Sequence, residues 1–79
     1  KDIKAKVKIV DRIDRMKKGN LGDHKSVGKG VSETRINYGP GYRIYFARKG
    51  NTLIIILAGS SKKDQDKTIQ QAQKNWQSL

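Results

Sequence analysis

The segment Arg35-Ile-Asn-Tyr-Gly-Pro-Gly-Tyr-Arg-Ile-Tyr-Phe-Ala-Arg48 constrains the fold most, because it has the pattern of two strands joined by a tight turn. Successive side chains of a strand point to opposite faces of the sheet. We therefore predict strands over 31–37 and 42–48, with the turn between them favoured by glycine and proline. The apolar face would carry Ile36, Tyr42, Ile44 and Phe46. The opposite face would carry Arg35, Asn37, Arg43 and Tyr45.

The remaining elements predict an α+β fold with an antiparallel β-sheet meander packed by helices, in the order α-β-β-β-α. A helix over 2–18 has an apolar stripe through Ile3, Val7, Val10 and Ile13, widened by Ile9 and Met16, that would pack on the sheet. The glycine-rich stretch 19–30 is predicted to be a loop. A strand over 53–58 is apolar on both faces, which favours a central position covered on both sides. Ser60 and Ser61 would cap a final helix.

The charge of the chain limits its partners. Its 79 residues fit a single domain over 1–79, and 18 Lys and Arg against 7 Asp and Glu give a formal net charge of +11. Such a basic domain favours polyanions, which means nucleic acid, an acidic membrane surface or an acidic protein. The absence of cysteine excludes disulfides and fits a cytoplasmic location. No apolar run has the roughly 18 residues of a membrane span. The basic first helix admits binding to a membrane surface, but its apolar stripe is the natural packing partner of the sheet, so no membrane partner is expected.

The face with Arg35 and Arg43 has two interpretations. It could be an ordinary solvated face, or an anion site, because the planar guanidinium fork suits bidentate phosphate binding. On the same face, Tyr45 could stack a nucleobase. Glu33 would lie beside these side chains, either as a general base or as an ion-pair partner.

Two other segments are weaker candidates. Lys62 and Lys63 enter the final helix, where backbone N–H groups favour an anion, although solvated lysines beside a capped helix are the simpler interpretation. His24 could act as an acid or base, but an exposed loop histidine is commoner. A single histidine without cysteines predicts no metal site and no cofactor. No P-loop, GxSxG or HExxH pattern occurs.

The run Gly30-Val-Ser-Glu-Thr-Arg-Ile-Asn-Tyr-Gly-Pro-Gly-Tyr-Arg-Ile-Tyr-Phe46 resembles the RelE/HigB-type toxins of bacterial toxin–antitoxin modules, in the addiction module killer protein branch of the RelE/ParE superfamily. Further matching segments are Arg12-Ile-Asp-Arg-Met, Gly19-Asn-Leu-Gly-Asp-His-Lys and Leu53-Ile-Ile-Ile-Leu-Ala-Gly59. The resemblance implies a RelE-like sheet with helices on one side and a concave basic face. Relatives usually begin with a further strand and helix, and we expect this chain to lack both.

The resemblance also implies an activity. Many such toxins are metal-free endoribonucleases, or mRNA interferases, that cleave mRNA on the ribosome and are held inactive by an antitoxin in the bacterial cytoplasm. The catalytic residues would be Arg43, Arg35 and Lys62 or Lys63. The RNA-binding residues would be Tyr45, Lys25, Lys29 and Arg48. The base stays open between Glu33, Tyr45, His24 and a lysine.

Several alternatives stay open. A ParE-like toxin would inhibit DNA gyrase instead, and a non-catalytic remnant of the fold would only bind nucleic acid. An exposed sheet edge, left by the expected lack of an opening strand, would favour pairing with a second chain, so a homodimer is a further alternative.

Overall fold

The structure is a computed structural model that describes residues 3–39, 41–59 and 65–79. Within these ranges it contains two helices and four strands in the order α-β-β-β-β-α. The elements are α1 (Ile3–Lys17), β1 (His24–Gly28), β2 (Val31–Ile36), β3 (Tyr42–Lys49), β4 (Thr52–Gly59) and α2 (Gln65–Gln77). The α+β class and the antiparallel meander packed by helices are therefore confirmed.

The four strands pair with their sequence neighbours, in the order β1-β2-β3-β4. β2 and β3 are matched so that Arg35 lies opposite Arg43 and Glu33 lies opposite Tyr45. The predicted central position of the third apolar strand is wrong, because that strand, β4, lies at one edge of the described sheet. The strand is apolar on both faces because helices cover both faces of the sheet, and not because the strand is central.

Strand β1 was missed by the sequence analysis, which predicted a loop over 19–30. Its five residues, His24–Gly28, include serine and glycine, so they lack the alternation that marks a strand. The strand forms because it pairs with β2 through a tight turn at Lys29 and Gly30. Both turn residues have positive φ, 56° and 81°, as a type I′ hairpin turn requires.

Helix α1 packs on one face of the sheet. Its Met16 joins Ile36, Ile44 and Phe46 in a buried cluster, against which Ile9 and Ile13 also pack. The predicted stripe was partly wrong, because Ile3, Val7 and Val10 are 75%, 61% and 57% exposed. The helix is thus rotated so that Ala5, Ile9, Ile13 and Met16 face the protein. Its C-terminus is closed by Gly19, whose φ of 95° places it in the left-handed conformation of a helix cap.

Helix α2 packs on the opposite face, which corrects the expectation of helices on one side. Ala72 is fully buried against Val31 and Tyr45, and Ile69 and Trp76 border this second cluster. Tyr45 belongs to the alternate set of β3 side chains from Ile44 and Phe46, so the two helices cover different faces. The sheet is therefore a middle layer, and the face with the arginines is partly covered by α2.

A polar contact fixes α1 to the sheet beside these arginines. Arg12 donates from Nη1 to the hydroxyl of Thr34 at 3.0 Å and to the backbone carbonyl of Arg35 at 2.9 Å. The fully buried Thr34 hydroxyl lies 2.8 Å from the carbonyl of Asp23, to which it can donate. The contact joins α1, the start of β1 and the end of β2, and so positions the backbone that carries Arg35. Neither described helix is long and apolar enough to cross a membrane.

Candidate functional site

A buried carboxylate organises the arginine-bearing face of the sheet. Glu33 is 1% exposed, and its carboxylate oxygens lie 3.8 Å from Nε of Arg35 and 3.4 Å from Nε of Arg43. Gln65, at the start of α2, donates to the same carboxylate at 3.2 Å. Of the two interpretations of Glu33, the structure therefore shows the ion-pair partner. The sequence did not identify Gln65 as a partner of Glu33, because residue spacing does not show which part of the sheet the first turn of α2 contacts.

The two arginines differ in exposure. The side chain of Arg43 is 7% exposed, whereas that of Arg35 is 52% exposed. Arg43 Nε has no aligned hydrogen-bond acceptor among the described residues, although it is in ion-pair range of Glu33. Both contacts are longer than the roughly 2.7–2.9 Å of a strong charge-assisted hydrogen bond. The predicted open arginine face is thus half right, because Arg35 is open and Arg43 is not.

Tyr45 is part of this buried cluster. It is 1% exposed, so its ring is not accessible for stacking on a nucleobase, as the sequence had suggested. Burial raises the pKa of Tyr45 to about 12, and the negative charge of Glu33 and the hydrogen bond to its carboxylate add to this rise. Arg43 acts in the opposite direction. The phenol of Tyr45 therefore stays neutral well above neutral pH, beside the Glu33 carboxylate.

Two hollows have Arg35 in their lining. The smaller, about 50 Å³, is lined by Arg35, Ile36, Asn37, Gly41, Tyr42 and Arg43. The larger, about 230 Å³, is lined by Asp23, His24, Lys25, Glu33, Arg35 and Asn37. The smaller has two cationic and no acidic side chains in its lining, so it suits a single oxyanion. The larger has two acidic and two basic side chains and offers both hydrogen-bond donors and acceptors.

We call these two hollows together the Arg35 cleft. Arg35 and Asn37 belong to both, so one ligand could place an anionic group in the smaller hollow and a polar group in the larger one. Asn37 was placed on the arginine face by strand alternation, but only the structure puts it in the cleft. Asp23 gave no sequence signal.

The predicted RNA-binding residues are dispersed. Lys25 is exposed and lies opposite Glu33 in the sheet, at the Arg35 cleft. Lys29 lies in the turn after β1 and borders a separate groove. Arg48 is exposed but pairs with Leu53, which packs against the cluster on the α1 side. It therefore lies on the opposite face of the sheet from Arg35, and only Lys25 is brought to the cleft.

The remaining candidates are not brought together with the arginines. Lys62 and Lys63 lie outside the described residues. His24 borders the larger hollow, but it pairs with Thr34, so its ring leaves the sheet on the α1 side. There the ring centroid lies 6.0 Å from that of Phe46, and Nδ1 lies 2.9 Å from the Gly22 carbonyl oxygen. The ring is therefore turned away from Arg43.

Comparison with known proteins gives one clear relative. An uncharacterized protein of Haemophilus influenzae is 49% identical over 72 residues, which cover 91% of this chain and 73% of the relative. This chain belongs to the family of that protein. No protein-family model and no solved structure matches the chain. Family membership therefore does not assign a function to the Arg35 cleft.

Proposed function

We propose that the protein is the toxin of a bacterial toxin–antitoxin module, an endoribonuclease that cleaves mRNA in the cytoplasm at the Arg35 cleft. The proposal rests mainly on the pair of arginines that line the smaller hollow of this cleft, together with the polar lining of the larger hollow. This arrangement suits one phosphate and its attached nucleoside. The net charge of +11 would draw the protein to RNA, and the sequence resemblance to RelE/HigB-type toxins supports the choice of substrate.

In the proposed reaction, the 2′-hydroxyl of the RNA attacks the adjacent phosphorus and the bond to the 5′-oxygen of the next nucleotide breaks. The products are a 2′,3′-cyclic phosphate and a 5′-hydroxyl end. Arg35 and Arg43 would stabilise the negative charge that builds on the phosphoryl oxygens, which is usually the largest contribution to such catalysis. A water molecule would take the proton of the 2′-hydroxyl, and Lys25, which lines the cleft, would give a proton to the departing 5′-oxygen. The ribosome would present the mRNA, and an antitoxin would block the reaction.

A second candidate, a nucleic-acid-binding protein without catalysis, is favoured by one observation. Glu33 already lies within ion-pair range of both arginines, and the buried Tyr45 lies opposite it in the sheet. Such a site can bind a phosphate without having a group placed to activate the 2′-hydroxyl. The two candidates share the binding surface and differ in whether new RNA ends form.

The test uses cell-free translation, with mRNA ends mapped by primer extension. Three proteins are compared: wild type, Arg35→Ala, and Arg15→Ala as the matched control. Arg15 is 60% exposed and pairs with a carboxylate on α1, so both variants lose one exposed cation. We expect new ends with wild type and the control, and a loss on the order of tenfold to a hundredfold with Arg35→Ala.

The other outcomes separate the alternatives. Binding of RNA without new ends, weakened by Arg35→Ala, would favour the non-catalytic protein. Equal cleavage by all three proteins would remove the cleft from the mechanism. A supercoiling assay run with the same samples tests the gyrase alternative, and inhibition without RNA cleavage would replace the proposed function.

A further inference from the structure

The two arginines of the Arg35 cleft share the carboxylate of Glu33, so an anion that enters the cleft meets cations that already have an ionic partner. Glu33 approaches Arg35 with one oxygen and Arg43 with the other, at 3.8 and 3.4 Å. It therefore acts on the same two cations that a phosphate in the smaller hollow would need. The carboxylate lowers the positive potential of that hollow, because the two cations then carry a net charge of +1 instead of +2.

Glu33 is anchored independently of Arg35. Gln65 donates to its carboxylate at 3.2 Å, and the buried Arg43 guanidinium lies 3.4 Å from the same carboxylate. Arg35 has the longest of these contacts and an exposed side chain. Its guanidinium can therefore turn from Glu33 to an anion while the carboxylate keeps its other partners.

We propose that Glu33 is an internal competitor for the phosphate site, which occupies Arg35 and Arg43 in the free protein and sets the affinity of the cleft for phosphate. This rests on the phosphate-binding part of the proposed function and not on RNA cleavage. The competition favours ligands that also fill the larger hollow over phosphate alone. In a protein with a net charge of +11, it would limit unspecific binding of polyanions at this site.

The experiment measures the binding of a fluorescent 5′-phosphorylated oligodeoxynucleotide, which cannot react through a 2′-hydroxyl. Four proteins are compared by anisotropy: wild type, Glu33→Gln, Arg35→Ala and the double variant. Removing one unit charge about 4 Å from an arginine in a wet cleft is expected to tighten binding about fivefold. The gain should largely disappear in the Arg35→Ala background, because Arg35 is the exposed cation that can leave Glu33 for an anion, whereas Arg43 stays buried beside the carboxylate.

This outcome is specific, since a misfolded variant would lose affinity and not gain it. Weaker or unchanged binding by a folded Glu33→Gln, or an equal gain with and without Arg35, would overturn the proposal. So would the absence of probe binding by wild type. RNA cleavage is scored separately in cell-free translation. A protein that does not cleave RNA can therefore still show the competition between Glu33 and phosphate, and the two proposals can fail independently.

A second measurement uses the wild-type protein alone, in case Glu33→Gln does not fold. The Nε–Hε resonance of Arg35 is followed by NMR while the same oligonucleotide is added. We expect this resonance and that of the Glu33 carboxylate carbon to shift together with the binding curve. If both stay unchanged while the probe binds, the anion does not compete with Glu33 and the proposal is refuted.

Discussion

The contact between Glu33 and Arg43 predicts a large loss of stability for Glu33→Ala. The two side chains are 1% and 7% exposed, so the variant would leave a guanidinium in the protein interior without its carboxylate. Removing one partner of a buried ion pair costs about 3–5 kcal/mol. This is a large part of the roughly 5–15 kcal/mol by which small domains are stable.

Urea unfolding measures this loss, with the fluorescence of Trp76 reporting the cluster between α2 and the sheet. For a slope of about 1–1.5 kcal/mol per molar urea, the midpoint should fall by at least about 2 M. The matched control is Asp11→Ala. It breaks an ion pair with Arg15 at 3.2 Å whose side chains are 57% and 60% exposed, and such surface pairs contribute about 0–1 kcal/mol.

A double variant separates the lost ion pair from simple loss of volume. Adding Arg43→Met to Glu33→Ala removes the unpaired guanidinium, so part of the stability should return. If Glu33→Ala lowers the midpoint no more than Asp11→Ala does, the buried pair does not contribute as argued. The same conclusion follows if the double variant is simply less stable than either single variant.

Two further predictions concern neighbouring side chains. The pKa of Tyr45 is raised to about 12 in the folded protein, against about 10 in an unfolded chain. Between pH 10 and 12 the unfolded state therefore binds fewer protons, and stability falls as pH rises. Tyr45→Phe lacks this loss, so the difference in urea midpoint between wild type and variant should shift in favour of the variant from pH 8 to pH 11; a constant difference would refute the shifted pKa. Thr34→Val removes the hydroxyl that accepts from Arg12 and should cost about 1–3 kcal/mol. Thr34→Ser, which keeps the hydroxyl, should retain most of that stability in the same unfolding assay, and equal losses would contradict the role of the contact.

Strand alternation predicted the faces of the hairpin correctly. Ile36, Ile44 and Phe46 lie in one core cluster and Tyr45 in the other, as their alternate positions require. Alternation does not show what covers a face, however. Helix α2 packs over Tyr45 and buries it, and this depends on the path of the chain after β4.

The missed strand and the misassigned helix stripe have similar causes. His24–Gly28 is a strand because β2 supplies its hydrogen-bond partners, and a short polar segment carries no local signal of that pairing. In α1, both the Ile3 side and the Ile9 side are apolar. Periodicity therefore predicted an amphipathic helix but did not decide which of these two sides faces the sheet. In the structure the Ile9 side faces the sheet, and Arg12 contacts Thr34 of β2.

The sequence predicted the cations of the candidate site but not the side chain from α2 that contacts them through Glu33. Pattern and charge identified Arg35, Arg43 and Lys25, which the structure places around Glu33. The partnership of Gln65 with Glu33 spans 32 positions in the chain and becomes visible only when α2 is placed over the sheet. The sequence thus predicts which cations share a face, and the structure shows which carboxylate holds them.

Mapping the residues that contact RNA tests directly whether the Arg35 cleft is the RNA-binding site. A short 2′-O-methyl RNA, which resists cleavage, is titrated into the ¹⁵N-labelled protein, and backbone shifts are followed by NMR. If RNA binds in the Arg35 cleft, the largest shifts will occur at Lys25, Arg35 and Asn37, with none at Arg15. Shifts confined to the outer lysines of α2, Lys67 and Lys74, or to α1, would contradict it.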